Sequence, residues 1–486
     1  MFDYPAPRYP KLKRPKSIDE LMPKARMLVD QPPDPGHGPI SLRPSYGIKS
    51  GDKILFVILS EHDPMVIEAM YKAMKEKGAL VDLLTKDSTP VTSPAEMGAE
   101  EAVALDKDEG DFNYYYSVLS NVIRNNTAKA MVENEKYDMV IAGLAGPLPP
   151  LPFRWYRFSF ITLEEFADPL MSSPINFPVD LQQLIDEKVF AQVTSCKMLR
   201  LTDAEGTDIE WTNYDDKRPF APNHMFARPF NIGYGFKGRE FGGRDDCNGV
   251  VAGTLNHMGA FPHLKAYIEG GLVVRVEGGG KYGKVWRERI EQYNKIKLPP
   301  APIVPVHIDA LKFPEKSEKS GGMPMNHIND PGFFWYHEAA IGTSPGFFRL
   351  PGEGLFKYYA NFLHERKRSG YIHNGFGPNA IGINELIKAG VPWTHVHIHT
   401  MLNTLKGKTD KGENMTIIDK GHLTAFDDPE VRSLAKKYGD PDEILKESWV
   451  PALPGINVPG DYMKDYGLDP LPWIKKEAIE NPIWID

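Results

Sequence analysis

The sequence predicts an α/β plus α+β protein, with an N-terminal open α/β sheet domain and a C-terminal metal-binding domain of short strands and helices. Three observations lead there. A β-α-β hydrophobic pattern opens at residue 52, glycine-rich turns alternate with short strand-like runs from about residue 225, and histidines gather between residues 337 and 399. The chain has 486 residues, enough for two or three domains and for a sizeable core without covalent staples.

Residues 1–50 carry repeated prolines and little periodicity, and are expected to form an irregular arm over another surface, such as a neighbouring subunit. DKILFVILS (52–60) is a short apolar run rich in β-formers and predicts a buried strand. PMVIEAMYKAMKEKG (64–78) has helical spacing, with Gly78 placed to end the helix. ALVDLLT (79–85) predicts a second strand, and the β-α-β order implies a parallel pair. Residues 112–135 have helical spacing, and YDMVIAGLAG (137–146) predicts a further strand. The α/β domain is assigned to 51–224. It contains neither GxGxxG nor GxxxxGK[ST], so it lacks the phosphate loop of nucleotide-binding domains. GPLPPLPF (146–153) reads as a rigid proline-rich connection. The metal-binding domain is assigned to 225–486, with short strands at GLVVRVEGGG (271–280) and YIHNGFG (371–377) and a helix near 353–367. EGGGKYG (277–283) reads as a turn after a strand.

A net charge of −8 argues against a general binder of nucleic acid or of anionic membranes. With only Cys196 and Cys247, no disulfide framework is needed and a reducing compartment is the simpler reading. The first residues lack the apolar run of a secretory signal, and no segment is long enough to span a bilayer, so a cytoplasmic location is expected.

The chemistry lies in the histidines. Six of the fourteen (His337, His364, His373, His395, His397 and His399) fall within 63 residues, where an even spread would place about two. THVHIHTML (394–402) alternates, and a strand has period two, so His395, His397 and His399 share one face. Neighbours in this trio are about 6.6 Å apart at Cα and the outer two about 13 Å, so an adjacent His-x-His pair can clamp an ion while the third stands behind it or carries protons. Such a pair needs a further ligand, for which Glu338 and His373 are candidates. Glu338 lies in an apolar context where a lone carboxylate is costly, and His373 lies in a glycine-flanked strand. Whether His337 or His395 replaces one of these ligands stays open. His364, beside Arg366 and Lys367, reads as a surface residue. Two histidines and one carboxylate with open positions is the arrangement of mononuclear non-haem Fe(II) oxygenases, and the same ligand types hold zinc for hydrolysis.

Several segments, in order, resemble one superfamily. LRLTDAEGTDIEWT (199–212) is similar to the Thr-Asp-x-x-Gly-Thr-Asp signature of thermophilic-type metallo-aminopeptidases and of the related 2,5-dihydroxypyridine 5,6-dioxygenase branch. SGDKILFVILSEHDP (50–64) resembles the opening strand, EAAIGTSP (338–345) a Glu-x-x-x-Gly-Thr-Asn segment, HNGFG (373–377) a His-x-Ala/Gly-x-Gly segment, HIHTM (397–401) a His-x-Asp-x-Met segment, and MTIIDKGHLTA (415–425) the closing hairpin. The resemblance spans about 45–430 and implies Glu338, His373, His397 and His399 as metal positions. Two departures bear on metal number: Arg368 stands where the peptidases have a carboxylate, and His399 where they have an aspartate. Losing two anionic ligands implies one metal rather than two. The dioxygenase branch holds a single iron at the positions of Glu338, His397 and His399, which again totals two histidines and one carboxylate.

The expected function is therefore a mononuclear non-haem Fe(II) dioxygenase that cleaves a hydroxylated aromatic or heteroaromatic ring with O2, with a metal-dependent hydrolase of aminopeptidase or amidase type as the alternative. Fe(II) is the expected cofactor, with zinc or manganese as substitutes. His395 or His373 would carry the proton. Phe333, Phe334, Trp335, Tyr336, Phe347 and Phe348 would suit an aromatic substrate, and core packing explains them equally well. The proline-rich arm and the resemblance both imply a homo-oligomer.

Overall fold

The computed structural model describes residues 2–30, 46–59, 62–86, 136–143, 154–158, 163, 166, 177–213, 220–221, 224–228, 247–256, 260–295, 335–347, 367–377 and 396–485. The expected helix at 112–135, all but Lys367 of the helix expected near 353–367, the connection at 146–153, and His364 and His395 lie outside the described residues.

The fold joins a parallel α/β sheet to a large antiparallel sheet. Residues expected to be irregular supply strand β1 (Leu12–Lys13) and helix α1 (Ile18–Asp30). The helix forms because Leu21, Met22, Ala25, Leu28 and Val29 make one buried face; Pro23 inside it obscures that spacing in the sequence. Strands β2 (Lys53–Leu59), β3 (Leu80–Lys86), β4 (Met139–Gly143) and β5 (Arg154–Phe158) form a sheet in the order β3-β2-β4-β5. All its pairings are parallel, as the β-α-β pattern implies. Helix α2 (Pro64–Glu76) links β2 to β3 and shares a core with α1. Asp63 caps it through the Met65 amide at 2.9 Å, and Pro64, which has no amide to satisfy, occupies the first turn. The same Asp-Pro pair starts three later helices, at Asp428-Pro429, Asp440-Pro441 and Asp469-Pro470.

Helix α3 (Val179–Ser195) leads into strands β6 (Cys196–Thr202), β7 (Asp208–Thr212), β8 (Phe220–Ala221), β9 (His224–Arg228), β10 (Asn248–Leu255), β11 (Ala260–Glu269) and β12 (Leu272–Gly278). Helix α4 (Gly280–Lys295) follows, then β13 (Trp335–Gly342), β14 (Ile372–Gly377), β15 (Val396–Thr400), β16 (Thr404–Thr409), β17 (Asn414–Asp419) and β18 (His422–Leu423). These strands form one antiparallel sheet along the path β11-β12-β13-β14-β15-β10-β7-β6-β16-β17-β18, with β8 and β9 attached to β13. Strand β10 also pairs with β11, so six strands make a closed circuit of pairings and the sheet curls. One apolar cluster fills it, with Trp211, Trp286, Tyr336 and Phe376 among its members. The hairpin Asp419-Lys420-Gly421-His422 has φ of 50° and 91° at its two central residues, the geometry that a two-residue turn between twisted strands requires.

The two chain ends meet. β1 pairs with β19 (Trp484–Ile485), and Arg8 exchanges backbone hydrogen bonds with Val450. The C-terminal segment is latched to the sheet by a buried carboxyl group: Glu205 Oε1 accepts hydrogen bonds from Thr254 at 2.8 Å and Tyr462 at 2.6 Å, and Thr254 also meets the Tyr466 hydroxyl at 2.9 Å. Burial, with the nearby Asp203 carboxylate adding to it, pushes Glu205 up to about 8. Burial likewise raises Asp203, to about 6. In the unfolded chain Glu205 ionises near 4.5, whereas the folded site holds its proton until about 8. The stability this carboxyl contributes is therefore complete below pH 4.5 and is lost progressively as pH rises to 8. Glu205→Gln keeps an acceptor for both hydroxyls and removes the ionisation. Thermal unfolding from pH 5 to 9 should show a shallower alkaline decline for the variant; an unchanged slope would exclude Glu205 as its source.

Candidate metal centre

Strands β13, β14 and β15 lie side by side, and their register builds the site. Glu338 on β13 is opposite Gly375 on β14, and Gly375 is opposite His397 on β15. Glu338 and His397 are thus two strand spacings apart, about 9.6 Å at Cα, and face each other across a residue with no side chain. His373 lies two residues before Gly375 on the same face and occupies the next row, directly opposite His399. A bulge at His337 allows this on β13, because Tyr336 pairs with Phe376 and Glu338 with the adjacent Gly375. Tyr336 thereby enters the apolar core against Phe376, with ring centroids 5.1 Å apart, while Glu338 two residues later faces the histidines.

The resulting group is buried: Glu338 is 1% exposed, His373 and His399 0%, and His397 4%. Glu338, His373 and His397 each offer one ligand atom, all within 4.8 Å of one another. Glu338 Oε2 lies 3.4 Å from His373 Nε2, and the His373 and His397 ring centroids are 4.2 Å apart. One ion at about 2.0–2.2 Å from each of two ligand atoms brings them to within about 4.4 Å, so this donor set fits a divalent metal after small side-chain rotations. One carboxylate oxygen and two imidazole nitrogens also match the preferences of a borderline transition metal.

The four positions expected to ligate thus differ in placement. Three converge, and His399 stands behind His373, with its Nε2 3.1 Å from His373 Nδ1. One proton shared between those nitrogens orients the His373 ring and leaves Nε2 directed at Glu338. The side chain of His337 and the whole of His395 lie outside the described residues. Arg368 is buried at 3% exposure, its guanidinium carbon 4.2 Å from the Tyr371 ring centroid and 4.3 Å from that of Trp449.

Two contributors escape a reading of the histidines alone. Gly375 matters through its missing side chain, for which the only signal is the glycine spacing of HNGFG. Tyr282 sits in GGGKYG at the start of α4, and its hydroxyl accepts from the His397 amide at 3.0 Å and donates to the His397 carbonyl at 2.9 Å. The segment that reads as a turn after a strand therefore also supplies a buried brace for a histidine strand.

Comparison with known proteins gives matches in structure alone. No protein-family profile and no curated protein sequence matches the chain. Among solved structures, 2,5-dihydroxypyridine dioxygenase from Pseudomonas putida KT2440 is similar, at 12% identity and a TM-score of 0.45, over 84% of this chain and 98% of that one. Wild-type AmpT from Thermus thermophilus is similar at 14% identity and a TM-score of 0.40, over 83% of this chain and 99% of that one.

The geometry separates two roles by experiment. His373→Ala and His397→Ala should each abolish stoichiometric metal in the purified protein, measured by elemental analysis. His399→Ala should leave a site whose affinity is lowered by about 10–100-fold, the cost of losing a partner behind a ligand. Loss of all metal in His399→Ala, with full retention in His373→Ala, would reverse their order.

Proposed function

We propose that the chain is a mononuclear non-haem iron dioxygenase that opens the ring of a hydroxylated aromatic or heteroaromatic compound, with Glu338, His373 and His397 holding the metal. The observation behind this reading is the buried set that the described residues bring together, two histidines (His373 and His397) and one carboxylate (Glu338). That ligand set with open positions is characteristic of Fe(II) oxygenases. An iron ion held there supplies the redox chemistry and the open coordination positions that ring cleavage by dioxygen requires.

The chain's own residues do the rest. The Glu338 carboxylate offsets part of the cation's charge inside a sheet where an isolated charge is costly. His399 keeps His373 in one orientation through the shared Nδ1–Nε2 proton, and Tyr282 holds the backbone of His397 on both its amide and carbonyl sides. The near-complete burial of the cluster excludes bulk water, which strengthens every electrostatic contact within it.

The same ligand types serve zinc hydrolases, so the decisive measurement reads both chemistries. The protein is purified anaerobically, its metal quantified, and O2 uptake followed with a panel of dihydroxylated aromatic and pyridine compounds, in parallel with amide and peptide hydrolysis. The expected outcome is iron near one per chain and O2 consumption coupled to loss of the aromatic absorbance. Stoichiometric zinc with peptide hydrolysis and no O2 uptake would replace this reading with the hydrolase.

A further inference from the structure

The run EGGGKYG (277–283) joins β12 to α4, and its three central glycines all have positive φ: 69° at Gly278, 76° at Gly279 and 51° at Gly280. Residues with a side chain seldom hold such angles, least of all three in succession. Space forbids side chains here as well. A Cβ at Gly278 would lie 2.1 Å from the His263 carbonyl oxygen, and one at Gly283 equally close to the Gly278 carbonyl oxygen at 2.1 Å. The chain thus turns tightly against β11, with the Gly279 amide donating to the His263 carbonyl at 2.9 Å, and enters α4 at once. Tyr282, in the first turn of that helix, is fully buried, its ring centroid 4.5 Å from that of Phe261 and 5.6 Å from that of Trp286.

The Tyr282 hydroxyl ends on β15, where it accepts from the His397 amide at 3.0 Å and donates to the His397 carbonyl at 2.9 Å. The N–H and C=O of one strand residue point to the same side, so this edge of His397 faces away from β14. Strand β10 pairs with β15 two residues further along, at Leu255 and His399. One phenol therefore supplies both halves of a ladder rung, its proton going to the carbonyl and its oxygen taking the amide.

We propose that Tyr282 is a positioning residue of the metal centre: through the backbone of His397 it sets the affinity and the coordination geometry of the ion, and the glycine run before it is what lets it reach. The inference rests on the reading of His397 as a metal ligand. The His397 amide belongs to the peptide plane before the residue and its carbonyl to the plane after it. Holding both fixes φ and ψ, and with them the direction of the Cα–Cβ bond that carries the imidazole. A metal site needs its ligands within about 0.5 Å of their productive positions, so a modest turn of this backbone is felt at the ion. Removing the hydroxyl would also leave a buried amide and carbonyl to find other partners, which drives the strand to shift and takes the imidazole with it. His373 is steered differently, at its ring, by His399. The glycine run and the start of α4 thus belong to the metal centre although they contribute no donor to the trio.

The test uses the full-length protein loaded with Co(II), whose visible absorption bands report coordination geometry. Affinity is measured by competition with a chelator, and spectra are taken at saturating metal. Tyr282→Phe keeps the ring and loses both hydrogen bonds; it should weaken Co(II) binding by about tenfold or more and shift the bands at full occupancy. Gly280→Ala, whose Cβ would lie 2.9 Å from Pro262 Cγ, should move both readouts the same way by a smaller factor and carries the test if Tyr282→Phe does not fold. Val431→Ala removes buried apolar atoms from the helix Pro429–Ala435, which packs against α3; it should lower thermal stability and leave affinity and spectrum unchanged. Affinity and spectrum like those of the unaltered protein in Tyr282→Phe, with Co(II) lost in His397→Ala, would overturn the role of Tyr282 and leave the metal centre standing. An equal band shift in Val431→Ala would reduce the effect to general destabilisation and overturn it too. Retention of Co(II) with an unaltered spectrum in His397→Ala would overturn the reading of the centre and this inference together.

Discussion

A carboxylate and three imidazoles sit inside a sheet at 4% exposure or less, and the constraint on this protein is that such groups must find compensation where water cannot reach. The register of β13, β14 and β15 provides it. Alternation alone would put Glu338, His373 and His397 on three strands facing the same way, too far apart to act together. The Gly375 position leaves room between the outer two, and His373 leans in from the adjoining row. The bulge at His337 then lets β13 serve both the apolar core and the polar site within three residues.

The surroundings keep this register rigid. Tyr336 donates to Asn374 at 2.9 Å, and Asn374 in turn donates to the Ile398 carbonyl at 3.0 Å, tying β13, β14 and β15 together on the face opposite the histidines. Tyr282 takes the place of a neighbouring strand for His397. Further out, the rings and guanidinium of His399, Tyr371, Arg368 and Trp449 are in contact in series, so the C-terminal segment bearing Trp449 is connected to the histidines by packing as well as by chain. The Glu205 latch anchors the same C-terminal segment further along, at Tyr462.

The legible parts of this architecture were those with a local period. The parallel sheet follows from short apolar runs around an amphipathic helix, and the histidine strand from strict alternation over 395–399. Glu338 drew attention because a carboxylate in an apolar run needs a partner. The helix at Ile18–Asp30 was hidden by its proline, although its buried face keeps helical spacing. The ranking of His373 and His399 was not legible, since it depends on their being exact cross-strand partners 26 residues apart, which sets one ring behind the other. Nor was Tyr282, whose role rests on a contact 115 residues away in the chain.

By itself the sequence named the candidates for the chemistry: three alternating histidines (His395, His397 and His399) on one strand face, His373 on a glycine-rich strand, and Glu338, a carboxylate that could not be left alone. Side-chain alternation and the cost of burying charge are local properties, so a single chain segment displays them. Only the tertiary structure decided which three donors converge, which histidine stands behind them and that Arg368 lies against the rings of Tyr371 and Trp449. Those outcomes are set by hydrogen-bond register and packing between segments distant in sequence, and no periodicity within one segment encodes where its neighbour will align.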